Sequence, residues 1–97
     1  MHINWLSLAL VDLDSIEAYI AQESLDAAVR VVLQVIESVE LLQNQPNLGR
    51  IGRVDGTREL ILTDTPYTVA YRVKNSSLEI LRILHQSRQW PDEIPGK

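Results

Sequence analysis

Apolar residues recur at helical spacing in the first half of the chain and at a period of two in the second, which predicts a helical part followed by a stranded part. Ile3 to Leu6 make a short apolar start, and Ser7 stands where an N-cap is expected. Ala9, Leu13, Ile16 and Ile20 then line one helix face, with Asp12, Asp14 and Glu17 turned to water. Ser24 and Asp26 restart a helix on which Ala28, Val32, Val35, Val39 and Leu42 repeat at alternating steps of four and three. A second row, Leu25, Val29, Leu33 and Ile36, lies beside that seam, so the apolar arc is wider than one partner helix needs and something else should cover it.

Asn44 to Gly49, with Pro46 between, ends the helix, and the stretch to Gly56 reads as Gly-punctuated loop. From Arg58 the pattern alternates in three runs, 58–63, 67–73 and 78–85. The connections Asp64-Thr65-Pro66 and Lys74 to Ser77 are short enough for hairpins, so these runs should be neighbouring antiparallel strands. In the last run both alternating sets are largely apolar, as in a strand covered on both faces. The expectation is an α+β fold of order β-α-α-β-β-β, a helical hairpin packed on one face of a small antiparallel sheet, with 1–97 as one domain.

Composition bounds the function. A chain of 97 residues buries only about 60–65% of its unfolded surface, so a single core is expected. There is no cysteine, which excludes disulfides, thiolate metal sites and a cysteine nucleophile. No apolar run approaches the roughly 20 residues that span a bilayer, and no signal peptide is legible at the N-terminus, so a cytoplasmic protein is expected. The net charge of −4 argues against a general nucleic-acid binder, but it hides an asymmetry. Residues 1–48 carry one base, Arg30, against seven acids; residues 50–88 carry seven bases (Arg50, Arg53, Arg58, Arg72, Lys74, Arg82, Arg88) against four acids. An anionic partner would dock on the second half.

Among single residues, His85 is the one histidine of the strand region, a residue type suited to proton transfer, so it is a candidate acid or base; the preferred reading is a strand-closing histidine tying down the tail. Arg58 and Glu59 fall on opposite strand faces, so one of them needs a partner and should brace the long loop. Arg50 and Arg53 sit more freely and could contact a partner. Arg82, in an otherwise apolar strand, is either paired across strands or points into a cleft. If it shares a face with Arg72 the two make a small basic patch for an acidic segment or a phosphate. Two distant histidines without clustered carboxylates make no metal site, no Gly-rich phosphate loop is present, and no cofactor is expected.

Several of these residues also carry a resemblance. Trp5, Asp12-Leu13, Ile16, Tyr19-Ile20, Pro46 followed by Gly49-Arg50, Arg58-Glu59, the strand from Tyr67 to Tyr71-Arg72-Val73, and His85 with Arg88, Trp90 and Pro91 resemble, in this order, the RelE/ParE family of type II toxin–antitoxin toxins. That resemblance implies a cognate antitoxin as partner in a hetero-oligomeric complex, with Val29 and Leu33 as antitoxin-facing apolar candidates. It also implies one of two targets. RelE-like members cut messenger RNA on the ribosome, whereas ParE-like members poison DNA gyrase.

Metal-free RNA cleavage needs a group to activate the 2′-hydroxyl, an acid for the leaving oxygen and cations for the phosphate. Here the set would be His85, Arg82 and Arg58, with no tyrosine after Tyr71 and few lysines. The resemblance is therefore closer to ParE, with a gyrase-directed toxin expected and a ribosome-dependent ribonuclease, or an inactive homologue kept as antitoxin partner, as alternatives. Arg50, Arg53, Arg72, Arg82, Arg88 and Trp90 are the contact candidates; Trp90 is also expected to pack the tail over the sheet.

Overall fold

The computed structural model describes residues 1–86. Strand β1 (His2–Trp5) leads into helix α1 (Ser7–Ala21), then helix α2 (Leu25–Asn44), and strands β2 (Arg50–Ile51), β3 (Arg58–Ile61), β4 (Tyr67–Lys74) and β5 (Ser77–His85) follow. One five-stranded sheet has the order β1-β5-β4-β3-β2. The fold class is the expected one, a helical hairpin on a sheet. Within it the sheet is mixed, since β2 to β5 are antiparallel neighbours but β1 runs parallel to β5. The reason is topological: no hairpin joins β1 to β5, because the two helices and three strands intervene, so nothing forces them antiparallel. β2, read from the sequence as loop, is a two-residue pairing with β3.

Ser24 caps α2 as expected, its hydroxyl accepting from the Ala27 N–H at 3.1 Å. Ser7 does not cap α1. Leu6 holds the N-cap position without a side-chain bond, because its N–H still donates to the Ile80 carbonyl while its own carbonyl opens the helix. Pairing with β5 sets the entry to α1.

The helices cover one sheet face. Ala9, Val35, Val39 and Leu42 meet Val69, Tyr71, Leu78, Ile80 and Ile83, with Leu13, Ile16, Ile20 and Trp5 at the margin. Alternation sends Ala70, Leu81 and Leu84 to the other face, where Leu6 and Val54 join them, so β5 is covered on both sides as its composition implied. A bulge serves this arrangement: Ala70 stands opposite Arg82 and Tyr71 opposite Ile80, leaving Leu81 as the extra residue. The β4–β5 turn is two residues, Asn75 and Ser76, both at positive φ (52° and 62°), the primed hairpin geometry that fixes the register.

Candidate functional site

Three features of the fold gather the chemistry-bearing residues: the loop between α2 and β3, the open end of β5, and the outer face of α2.

The loop is fixed by side chains from the sheet. Tyr71, fully buried on β4, donates its hydroxyl to the Pro46 carbonyl (2.8 Å) and accepts from the Gly49 N–H (2.9 Å). Gly49 has to be glycine, since a Cβ there would lie 2.7 Å from that hydroxyl oxygen. Burial pushes the Tyr71 hydroxyl above its ordinary 10.0, against smaller lowering influences from the Gly49 bond and the Arg58 charge. Arg58 donates to the Gly49 carbonyl (2.7 Å) and the Asn47 carbonyl (3.4 Å). Glu59, only 2% exposed, accepts from the Arg50 guanidinium (3.0 Å) and from the Arg53 backbone N–H (2.8 Å). One of Arg58 and Glu59 was expected to brace the loop. Both do, Arg58 its first half and Glu59 its second.

At the other edge of the sheet β1 stops opposite Ile80, and the outer edge of β5 runs on without a strand beside it. Asp12 of α1 takes that place, its carboxylate accepting from the Ile83 N–H (3.0 Å) and twice from the Arg82 guanidinium (2.7 and 3.0 Å). Asp12 was expected to face water; instead its side chain is 15% exposed beside Arg82 at 14%. A cleft of about 710 Å³ opens here, bordered by Asp12, Tyr19, Asp64, Arg82 and His85 over a floor that includes Ile16 and Ile83. His85 meets the Tyr67 ring edge-on, centroids 5.4 Å apart.

The basic patch expected from Arg72 and Arg82 is compensated by acids. Arg72 lies opposite Glu79 in the β4–β5 ladder and pairs with it at 2.5 Å, while Arg82 is held by Asp12. Nor do the three groups proposed for RNA cleavage come together. Arg82 and His85 border one cleft, whereas Arg58 is anchored at the loop, four β4 residues further along the register from His85 and on the far side of β4. Four residues of strand are about 13 Å. Among the described residues, no group of three or more His, Asp or Glu side chains could hold a metal ion. Arg88 and Trp90 lie outside the described residues.

On α2, Val29 and Leu33 are 46% and 50% exposed, and Leu25 and Ile36 beside them are exposed too, so the second apolar row stands uncovered. Among the described residues no helix is long and apolar enough to cross a membrane.

Comparison with known proteins places these features in a family context. The profile described as ParE toxin of the type II toxin–antitoxin system, parDE, matches residues 3–90. The chain is 45% identical over 92 residues to a putative toxin, Y4kP, of Sinorhizobium fredii, a match spanning 95% of each. It is 36% identical over 84 residues to toxin RelE2 of Caulobacter vibrioides, spanning 87% of this chain and 93% of that one. A chain from a solved chromosomal ParDE TA system of P. aeruginosa superposes with a TM-score of 0.79 at 33% identity, over 88% of this chain and 95% of that one.

Proposed function

The chain belongs to the ParE toxin family of type II toxin–antitoxin systems, and we propose that it poisons DNA gyrase in the cytoplasm and is held inactive in a hetero-oligomeric complex with a cognate antitoxin. The observation that carries this reading is the dispersal of the candidate RNA-cleaving groups, with Arg82 bound to a carboxylate and Arg58 to a loop carbonyl. A phosphodiester cleaver needs an acid, a base and cations converging on one phosphate. A poison acting by protein contact needs only a surface.

The antitoxin part of the proposal is supported by the uncovered row at Leu25, Val29, Leu33 and Ile36, which suits the apolar face of an ordering segment. The P. aeruginosa relative comes from a ParDE system. One observation favours a second reading, ribosome-dependent cleavage of messenger RNA: Arg82 and His85 do border the same cleft.

Induction without antitoxin, with DNA and protein synthesis followed together, separates the two. The expected outcome is that replication stops first and the DNA-damage response is induced while translation continues, with His85→Ala behaving as wild type. A-site cleavage of messenger RNA by wild type that His85→Ala abolishes overturns the gyrase reading and makes His85 the acid or base. If neither process responds, the chain is an inactive homologue.

A further inference from the structure

We propose that the braced loop, residues 47–53, is the element by which this chain docks on its target protein, with Ile51 as the apolar anchor; the inference rests on the gyrase reading above. Among the described large hydrophobic residues Ile51 is the most exposed, at 75%, and Leu48, earlier in the same loop, is exposed as well. An isolated exposed isoleucine carries no meaning. This one is presented on backbone fixed on both sides. Gly49 is held through its N–H by Tyr71 and through its carbonyl by Arg58. Arg50 and the Arg53 N–H are held by Glu59, and the Gly52 N–H donates to the Thr57 carbonyl at 2.8 Å. Gly52 is also sterically locked, because a Cβ there would fall 2.3 Å from the Thr57 hydroxyl oxygen. A side chain on backbone ordered in advance loses little freedom on docking, so more of its burial appears as affinity.

The occupant follows from what surrounds the anchor. Arg50, its side chain still 57% exposed while paired with Glu59, precedes Ile51, and exposed Arg53 follows two residues later. The complementary surface is an apolar pocket with an acidic rim, which is a protein surface; a phosphate backbone would leave Ile51 and Leu48 unburied. The row on α2 has the opposite balance, with Asp26, Glu37 and Glu40 exposed on the same helix against one exposed base, Arg30. The two surfaces therefore suit different partners.

The test uses the full chain as wild type, Ile51→Asp and Ile51→Leu. Ile51 is exposed, so both variants should keep the wild-type thermal midpoint and bind antitoxin within about twofold. With purified gyrase, Ile51→Asp should need at least about tenfold more toxin for half-inhibition of supercoiling, the low end of what burying one such side chain is worth. Ile51→Leu should stay near wild type. Growth arrest on induction provides a readout independent of the target's identity, and it should weaken in Ile51→Asp.

Full toxicity of Ile51→Asp overturns the proposal while leaving the gyrase reading intact. Wild type that arrests growth without inhibiting gyrase sinks the gyrase reading, and the loop then stands or falls on the growth of Ile51→Asp alone. Loss of antitoxin binding by Ile51→Asp assigns the loop to the antitoxin, and tight binding of duplex DNA alone that Ile51→Asp abolishes assigns it to nucleic acid; either outcome overturns the proposal. So does a wild type with no effect on growth.

Discussion

Two carboxylates hold the two edges of the sheet in the same way and by different routes. Glu59, on β3 where it pairs with the edge strand β2, takes one arginine side chain and one backbone N–H from six to nine residues away in sequence. Asp12, at the β5 edge, takes one arginine side chain and one backbone N–H from a strand some seventy residues away. Their partners differ more than they do. Arg50 already reaches solvent, with its side chain 57% exposed, whereas Arg82 is 14% exposed. Losing a carboxylate matters most where the charge left behind cannot hydrate.

The larger effect is therefore expected at Asp12. Asp12→Ala removes the acceptor of a nearly buried guanidinium and of the Ile83 N–H, and should cost about 3 kcal/mol in denaturant unfolding. A loss below about 1 kcal/mol would mean that α1 is held by its apolar face alone. Glu59→Ala should cost less, about 2 kcal/mol, because Arg50 can turn to water and the Arg53 N–H is the main group stranded. Its signature is local, with limited proteolysis appearing in the loop before global unfolding. Equal costs at the two sites would remove exposure of the partner as the deciding factor.

The same contrast explains what could be read from sequence. That one of Arg58 and Glu59 braces the loop was legible because both lie close to it in the chain and strand alternation forces one of them inward; that both do was not. The Arg72–Glu79 pair follows from the two-residue turn at Asn75-Ser76, which fixes the ladder. A patch of Arg72 and Arg82 was conditional on a shared face, and the bulge at Leu81 does set Arg82 opposite Ala70 on the face of Arg72, but Glu79 and Asp12 compensate both charges. Asp12 was expected to face water with Asp14 and Glu17, although at about 100° per residue it falls about 40° from Ile16, at the rim of the apolar face and on the opposite side from Asp14. What no local pattern shows is the early end of β1, which brings the bare β5 edge to it. The parallel sense of β1 was hidden for the same reason, since long-range pairing leaves no trace in a short connection. Most of the α2 seam and its second row were legible, because helical period largely decides them; Val31, which packs against the core, was not assigned to the seam, and Val32, which was, is only half-buried.

A smaller effect is expected at Tyr71, where the interaction is a neutral hydroxyl bridge. Tyr71→Phe keeps the ring and loses the Pro46 and Gly49 bonds, for about 1–2 kcal/mol. The pH dependence has a definite sign. Folding raises the hydroxyl pKa by burial, so its contribution is complete below the ordinary value of 10.0 and is lost as pH rises from there toward the folded value, the unfolded chain releasing its proton first. Wild type should accordingly lose more stability than Tyr71→Phe between neutral pH and pH values above 10.0. Parallel losses would show that the hydroxyl is not held as described.

Those variants probe how the surfaces are built; what the surfaces do is tested most directly by adding the purified wild-type protein to gyrase with relaxed plasmid and, at the same concentrations, to ribosomes programmed with messenger RNA. The expected result is inhibited supercoiling or trapped cleaved DNA, with the messenger intact. Messenger RNA cut in the ribosomal A site while supercoiling proceeds unimpaired would contradict it.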